Sequence, residues 1–352
     1  MQKVSVNMLI VSLFLTALNI APTMAQSNST TAVVFMYHRF GEDKFPSTNI
    51  RIEQFEEQLD FFSSGGFNVL PLDDIVDALE SGKDLPEKTI AITIDDAYLS
   101  VYEIAYPRLN KNNFPFTVFV APNTVDDGIP AYMNWQQIRE MHANGVTFAN
   151  HSSNHDYLVR LRDGESQSEW AQRIKSDLEN AQQRLQQELG EAPLLFAYPY
   201  GEFNPDLLDI VKDLGYIAFG QHSGAIGPLS NRQALPRFPV AEPFADMAAF
   251  KTKALSLAMP VILQEPVDPQ TSEPNPLLTV TLAPVEGDPN RLTCYFGAER
   301  MKIQWLVPDE KFSIQSEKSL PPGRSRYNCT LPHDSGGRFY WFSHQWISPT
   351  PQ

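Results

Sequence analysis

The sequence predicts an α/β fold, an incomplete (β/α)7-type barrel followed by a small C-terminal all-β domain. Short apolar segments alternate with segments of helical periodicity over about 230 residues, which is typical of a parallel sheet with connecting helices. About seven such strands are predicted, and this number favours an incomplete barrel over a doubly wound sheet. No glycine-rich phosphate loop follows any of them, so a nucleotide-binding fold has little support.

The predicted barrel strands are short, apolar and rich in β-branched residues. The clearest is Thr89–Ile94, whose continuous apolar character indicates a strand covered on both faces. In chain order the predicted strands are Ala32–Tyr37, Thr89–Ile94, Phe116–Val120, Val146–Ala149, Pro193–Tyr198, Tyr216–Phe219 and Leu235–Val240.

The predicted helices lie between these strands. Apolar residues recur at three- and four-residue intervals, and glycines at 145, 190 and 215 provide C-terminal stops. The predicted helices are Ile52–Phe62, Asp73–Leu79, Leu99–Leu109, Trp135–His142, Ser166–Leu189, Pro205–Leu214 and Phe244–Leu257.

Residues 1–25 are predicted to be a secretory signal peptide. Lys3 supplies the positive charge, Met8–Leu18 the apolar core, and Thr23–Ala25 a small-residue cleavage site. The apolar core is too short for a membrane-spanning helix. We therefore expect a periplasmic or secreted protein without a transmembrane segment.

The C-terminal part is predicted to be a separate unit. Residues 259–276 form a proline-rich linker, and residues 277–352 contain short apolar segments separated by Pro and Gly, as in an antiparallel β domain. Cys294 and Cys329 are the two cysteines of the sequence, and in an oxidising compartment a disulfide is their simplest use. The aromatic run Phe339–Phe342 suits a small domain core better than a carbohydrate-stacking surface.

The formal net charge of −15 argues against nucleic acid and anionic membranes as partners. It is also a common solubility feature of exported proteins. We expect a monomer.

Polar residues follow several of the predicted strands. His38, Asp95, Asp96, Tyr200 and His222 each come just after a strand, where barrel enzymes place their chemistry. Two adjacent carboxylates resist joint ionisation unless a cation or hydrogen bonds compensate them. A helix-capping role for the pair is the structural alternative.

A second polar segment, Asn150–Asp156, also follows a strand. His151 and His155 are four residues apart, so on a helical turn both could bind one metal. Two histidines and one carboxylate suit Zn²⁺, with Co²⁺, Ni²⁺ or Fe²⁺ as alternatives. Such histidine spacing also occurs without a metal.

Three motifs in this order resemble those of the polysaccharide deacetylases, the family-four carbohydrate esterases with a NodB-type domain. They are Thr93–Asp96, His151–His155 and Ala197–Gly201. The segments Met36–His38 and Leu235–Val240 are most similar to the poly-N-acetylglucosamine deacetylase branch. The resemblance covers about residues 32–258 and implies that residues 26–258 are the catalytic domain.

The resemblance implies a role for each motif residue. Asp95 would be the general base, and Asp96, His151 and His155 would bind a divalent metal, with zinc foremost. Tyr200 would line the acetyl pocket. Trp135 either stacks against a sugar or packs its helix.

The sequence departs from the family at two motif positions. Ala97 replaces the usual glycine, and Ala197 replaces the arginine that normally holds the base. Our hypothesis is that Arg237 supplies the missing guanidinium; a structural arginine is the alternative.

The late Leu-x-His motif that supplies the general acid is not evident after residue 240. His222 is the first candidate to replace it and His38 the second. His38 could equally be a buried histidine or a substrate contact.

The sequence therefore predicts a metal-dependent hydrolase that removes N-acetyl groups from an N-acetylglucosamine-containing glycan and releases acetate. Two alternatives remain at this point. An O-acetyl esterase of the xylan type could use the same site, and a catalytically weak glycan-binding protein would explain the motif departures.

Overall fold

The computed structural model describes residues 31–349, so the predicted signal peptide lies outside the described residues. The described chain contains one large parallel sheet with flanking helices, followed by an antiparallel sheet and a second sheet that is antiparallel except for one parallel edge strand. The predicted fold class, an incomplete barrel with C-terminal all-β sheets, is confirmed.

The strands of the first part are β1 Ala32–Tyr37, β2 Arg39–Phe40, β3 Asn49–Ile50, β4 Asn68–Val69, β5 Thr89–Asp95, β6 Thr117–Val120, β7 Thr147–Asn150, β8 Leu195–Ala197, β9 Ile217–Phe219, β10 Phe238–Pro239 and β11 Leu257–Ala258. The helices are α1 Ile52–Ser64, α2 Leu72–Ser81, α3 Tyr106–Lys111, α4 Pro122–Asp126, α5 Trp135–Ala143, α6 Gln167–Leu189, α7 Pro205–Asp213 and α8 Met247–Ala254. A π-helical turn, Val101–Ala105, precedes α3.

The large sheet has the strand order β10-β1-β5-β6-β7-β8-β9, and β4 pairs with β5 outside this path. Its pairings are parallel, so the carboxyl ends of its strands meet at one edge. Strand β5 is buried along its whole length. The cores on the two faces of the sheet are built from alternate residues of these strands, as the two-residue period requires.

The predicted helix Leu99–Leu109 is present as one continuous helical segment with an irregular middle. Leu99 and Ser100 are α-helical, residues 101–105 form a π-helical turn, and α3 continues from Tyr106. The predicted strand Leu235–Val240 is shortened to Phe238–Pro239. Leu235 forms only an isolated bridge with Phe219, and Pro236 after it cannot donate to a sheet ladder.

The C-terminal strands are β12 Val261–Glu265, β13 Leu277–Leu282, β14 Thr293–Phe296, β15 Glu299–Met301, β16 Ile303–Val307, β17 Lys311–Gln315, β18 Gly323–Pro332 and β19 Phe339–Ser348. They form two sheets, β11-β19-β18-β14-β15 and β12-β13-β17-β16. We call residues 261–348 the C-terminal β region.

The segment predicted as a linker is partly strand. Residues 261–265 pair antiparallel with β13, and Leu257 pairs with Tyr340 of β19. The C-terminal β region is therefore joined to the barrel by backbone hydrogen bonds as well as by the chain. The predicted disulfide is present and links Cys294 of β14 to Cys329 of β18, which face each other in the ladder.

Within residues 31–349, no helix is both long enough and apolar enough to cross a membrane.

Candidate active site

The turn after β5 separates the two adjacent carboxylates. Asp95 ends the strand with no exposed surface, while Asp96 and Ala97 adopt left-handed backbone conformations with φ of 76° and 54°. The Asp96 N–H donates to the Phe119 carbonyl at 3.0 Å, and the Met133 N–H donates to the Ala97 carbonyl at 3.0 Å. Alanine in this conformation costs about 1 kcal/mol, and these hydrogen bonds hold the turn.

Asp95 forms a buried bidentate ion pair with Arg237. Arg237 Nη1 and Nη2 donate to the two Asp95 carboxylate oxygens at 2.7 and 2.8 Å, and neither side chain is exposed. Arg237 Nε also donates to the Gly220 carbonyl, and Nη1 to Thr93 Oγ1. The guanidinium is thus fixed by two residues of β5 and by Gly220, which follows β9, and it fixes the orientation of Asp95.

His151 and His155 lie on a loop and not on the predicted helical turn. Ser152 and His155 have φ of 65° and 58°, which breaks any helix, yet the two imidazole centroids are 4.8 Å apart. Side chains fold the loop locally: Asn150 Oδ1 accepts from the Ser152 N–H, and Ser152 Oγ accepts from the His155 N–H.

Helix α6 supports this loop from outside. Ser153 donates its N–H to the Asp177 carboxylate at 3.0 Å and its hydroxyl to the Asp177 backbone carbonyl at 2.7 Å. Asn150 donates to the Leu178 carbonyl at 2.9 Å. The loop is therefore fixed by a rigid helix, and its two histidines point toward the turn after β5.

Asp96, His151 and His155 form a cluster suited to one metal ion. Asp96 Oδ1 lies 3.3 Å from His155 Nε2 and 3.4 Å from His151 Nε2, and the three ligand atoms are within 4.8 Å of one another. His151 Nδ1 contacts the Ala197 carbonyl at 2.7 Å. A proton on Nδ1 leaves a lone pair on Nε2, which is buried and has no hydrogen-bond partner among the described residues. These donors fit a divalent metal.

Electrostatics keep both carboxylates ionised. Burial opposes the charge of Asp95, but the Arg237 guanidinium outweighs it and lowers the pKa of Asp95. Burial also opposes the charge of Asp96, but His151 outweighs it and lowers the pKa of Asp96. Burial and the neighbouring His151 lower the pKa of His155 to about 4, so this ring is neutral at neutral pH.

Asp96 and His155 border a cavity of about 740 Å³. His38, Tyr200 and His222 also line it. His38 Nε2 lies 4.0 Å from Asp95 Oδ2, and burial lowers the pKa of His38. Tyr200 has φ of 60°, and its ring centroid is 4.5 Å from that of His155.

Trp135 and His222, two predicted site residues, have no contact with the metal-binding cluster in the contacts described above. Trp135 lies outside this cavity: its Nε1 donates to Asp126, and the Arg184 guanidinium lies over its ring. Burial, with the charges of Arg326 and Arg237, lowers the pKa of His222 to about 3.

Part of the cavity wall comes from the C-terminal β region and is not predicted from the sequence. Arg324, Ser325, Arg326 and Gln345 line the same cavity as Asp96 and His155. No local pattern distinguishes them, because only the packing of β18 and β19 against the barrel brings them here.

Comparisons with known proteins show which family and fold the chain resembles. Residues 82–219 match the family model described as "Polysaccharide deacetylase". The poly-β-1,6-N-acetyl-D-glucosamine N-deacetylase of Escherichia coli K12 is 25% identical over 228 residues, covering 55% of this chain and 34% of that protein. The enzyme of the same name from Staphylococcus aureus MRSA252 is 25% identical over 213 residues, covering 59% of this chain and 73% of that protein. The chain thus spans about a third of the first relative's length.

Solved structures share the fold. IcaB from Ammonifex degensii aligns with a TM-score of 0.54 and 27% identity, covering 62% of this chain and 96% of that one. The Streptococcus pyogenes deacetylase PplD, solved in complex with acetate, aligns with a TM-score of 0.57 and 21% identity, covering 63% of this chain and 98% of that one. The predicted resemblance is confirmed: residues 82–219 of this chain match the polysaccharide deacetylase family model, and the large sheet has the half-barrel fold of these solved deacetylases.

Proposed function

We propose that this chain is a metal-dependent hydrolase that removes N-acetyl groups from an N-acetylglucosamine-containing polysaccharide or oligosaccharide and releases acetate. One observation carries the proposal: the Asp96, His151 and His155 cluster lies beside Asp95, a second carboxylate held by its own buried arginine. Binding alone requires no ionised base next to a metal site. The printed activity of the relatives supports an amide substrate.

Asp96, His151 and His155 are the residues that would hold the metal, with zinc as the first candidate and cobalt, nickel or iron as alternatives. A bound divalent ion would polarise the acetamido carbonyl and lower the pKa of a coordinated water.

Asp95 is the proposed general base. It takes a proton from the attacking water as the water oxygen bonds to the carbonyl carbon, and Arg237 keeps its carboxylate ionised and oriented. The carbon–nitrogen bond then breaks, so that acetate and a free amine leave.

His38 is the better candidate for the proton donor to the amine. Burial lowers the pKa of His38, so its ring is neutral at rest and accepts the proton that Asp95 collects, 4.0 Å away. The protonated ring then donates this proton to the leaving nitrogen, so the proton taken from water ends on the amine. His222 borders the same cavity, but no ion pair joins it to Asp95 among the described residues, and its pKa of about 3 opposes protonation.

Acetate release is the experiment that tests this function. The purified chain is stripped of metal and incubated with N-acetylglucosamine oligomers, with and without added Zn²⁺ or Co²⁺. We expect metal-dependent release that Asp95→Asn and His151→Ala abolish. His142→Ala is the matched histidine control, since His142 lies on α5 outside the cavity.

Two other functions make different predictions in the same assay. An O-acetyl esterase releases acetate from acetylated xylan and not from the amide. A glycan-binding protein binds metal and oligomer but releases no acetate from either substrate.

The remaining assignments are also proposals. Residues 26–258 are proposed as the catalytic domain and 277–352 as a second domain, with the linker shortened by strand β12. Export to the periplasm or outside the cell is supported by the disulfide. The proposed monomer is checked by light scattering of the purified chain.

A further inference from the structure

One wall of the active-site cavity carries an excess of positive charge. Arg324 and Arg326 of β18 line it. We call these two residues the cationic wall. It stands out because the chain as a whole has a net charge of −15.

Arg326 is the residue of this wall with no carboxylate partner. Its Nη1 donates to the Gln221 carbonyl at 3.2 Å and to Ser223 Oγ at 3.0 Å, both neutral oxygens. No described carboxylate forms an ion pair with it, whereas Arg324 Nε lies 3.7 Å from Glu202. Burial and the neighbouring Arg324 lower the pKa of Arg326. A partly buried guanidinium without a counter-ion is stabilised when an anion binds it.

Uncharged groups on the same side of the cavity also lack hydrogen-bond partners. Gln345 is 7% exposed, and its Nε2 has no hydrogen-bond partner among residues 31–349. Ser325 Oγ is likewise unpartnered and lines the cavity. An amide NH₂ group, a hydroxyl and a guanidinium all donate hydrogen bonds. The wall therefore presents donors that require an oxygen-bearing ligand.

The wall is close to the reacting centre. The Tyr200 ring contacts His155 on one side, and on the other the Arg324 guanidinium lies 5.7 Å from the ring centroid. Arg324 Nη1 also donates to the Tyr200 carbonyl. One tyrosine thus separates the cationic wall from a candidate metal ligand.

We propose that the cationic wall binds an anionic group of the glycan, carried by the sugar that is deacetylated or by its neighbour. The shared chemistry is a charged oxygen group, either a carboxylate or a phosphate ester. This inference rests on the proposed function and narrows its substrate to acidic N-acetylated glycans. A purely structural role, in which the arginines only hold the C-terminal β region on the barrel, is the alternative.

The test compares matched oligosaccharides of equal length with the metal-loaded full chain. One is a neutral N-acetylglucosamine oligomer, one alternates N-acetylglucosamine with a uronic acid, one carries lactyl carboxylates, and one carries phosphate esters. We expect kcat/KM to be at least about tenfold higher for one of the acidic classes than for the neutral oligomer. The preferred class identifies the anion.

Arg326→Gln and Arg326→Lys then test the wall. We expect Arg326→Gln to move the acidic-to-neutral ratio of kcat/KM toward one, and Arg326→Lys to recover part of it. Arg300→Gln is the control: it removes the same charge from exposed strand β15, outside the cavity, and should leave the ratio unchanged. A structural role predicts that Arg326→Gln lowers both activities equally and preserves the ratio.

Calorimetry that measures how the same oligomers bind to the metal-free full chain distinguishes the cationic-wall proposal from the deacetylase proposal. Tighter binding of acidic oligomers that Arg326→Gln abolishes supports the cationic wall even if no acetate is released, which would overturn only the proposed function. Equal binding and equal turnover of neutral and acidic oligomers would overturn the cationic wall and leave the deacetylase proposal intact.

Discussion

Arg237 and Asp95 form an ion pair with no exposed surface, so each depends on the other. Arg237→Ala would leave a buried carboxylate unpaired, which costs about 3–5 kcal/mol of unfolding free energy. It would also release the proposed base from its orientation. We expect kcat to fall by at least about 100-fold, the size of a lost general base.

The double variant Arg237→Ala with Asp95→Asn separates these two effects. Removing both charges should restore much of the unfolding free energy, measured by urea denaturation, without restoring acetate release. Near-normal turnover in Arg237→Ala alone would contradict the positioning role.

His38 and His222 are the two candidates for the residue that donates a proton to the leaving amine. Since His38 is the histidine paired with Asp95, His38→Gln should lower kcat by about 100-fold with little change in KM. His222→Gln should have a smaller effect on kcat. The reverse order in steady-state assays would assign the proton transfer to His222.

Among the elements, helix α6 supports the metal-binding loop through Asp177. Because the Asp177 carboxylate accepts a hydrogen bond from the Ser153 N–H at 3.0 Å, Asp177→Ala should loosen the loop between His151 and His155. We expect metal affinity to fall by about tenfold, as for other supports behind metal ligands, with unchanged helix content. Zinc titration calorimetry measures this, with Glu179→Ala on the exposed side of the same helix as control. Equal affinities of the two variants would mean that α6 does not order the loop.

The elements also show what a sequence pattern can predict. Strand β5 is predictable because its residues form a continuous apolar, β-branched run, and helix α6 because a long segment without strand-like character ends at a glycine. The two-residue strands β2 to β4 and the five-residue helix α4 are too short for any period to be visible. The π-helical turn before α3 has the same residue types as an α-helix, so only the packed structure distinguishes it.

Some residues of the candidate site are predictable from the sequence and others are not. Asp95, Asp96, His151 and His155 were named because short motifs follow strands whose ends share one edge of the sheet. The pairing of Arg237 with Asp95 spans 142 positions, and it was proposed only because a family arginine was missing. Arg326 and Gln345 follow no motif, since their place in the cavity depends on how two separately folded sheets pack together.

For the whole molecule, the disulfide stabilises the C-terminal β region. It closes a loop with a sequence separation of 35 residues, which is worth roughly 3–4 kcal/mol in the chain-entropy account. The Cys294→Ser, Cys329→Ser double variant should lose about that unfolding free energy in urea. Because β18 carries Arg324 and Arg326, the variant should also bind acidic oligomers more weakly. Unchanged stability would show that the sheet does not depend on the bond.

Acid should weaken the contact between the barrel and the C-terminal β region. His222 of the barrel and His344 of β19 line a second cavity between the two parts, and burial is the main cause that lowers each pKa to about 3. The facing charges of Arg326 and Arg237 act on His222, and His222 acts on His344, in the same direction. An unfolded histidine titrates at about 6.5, so between about pH 6.5 and 3 the unfolded chain binds more protons than the folded one.

Stability from these two residues is therefore fully present above pH 6.5 and is lost as the pH falls toward 3. Urea denaturation at a series of pH values should show this loss, and His344→Gln should reduce its slope, because glutamine does not titrate. His333→Gln, at an exposed turn of the same β region, is the control. If His344→Gln and His333→Gln follow the same pH curve as the unchanged chain, the buried histidines do not link protonation to the packing of the two parts.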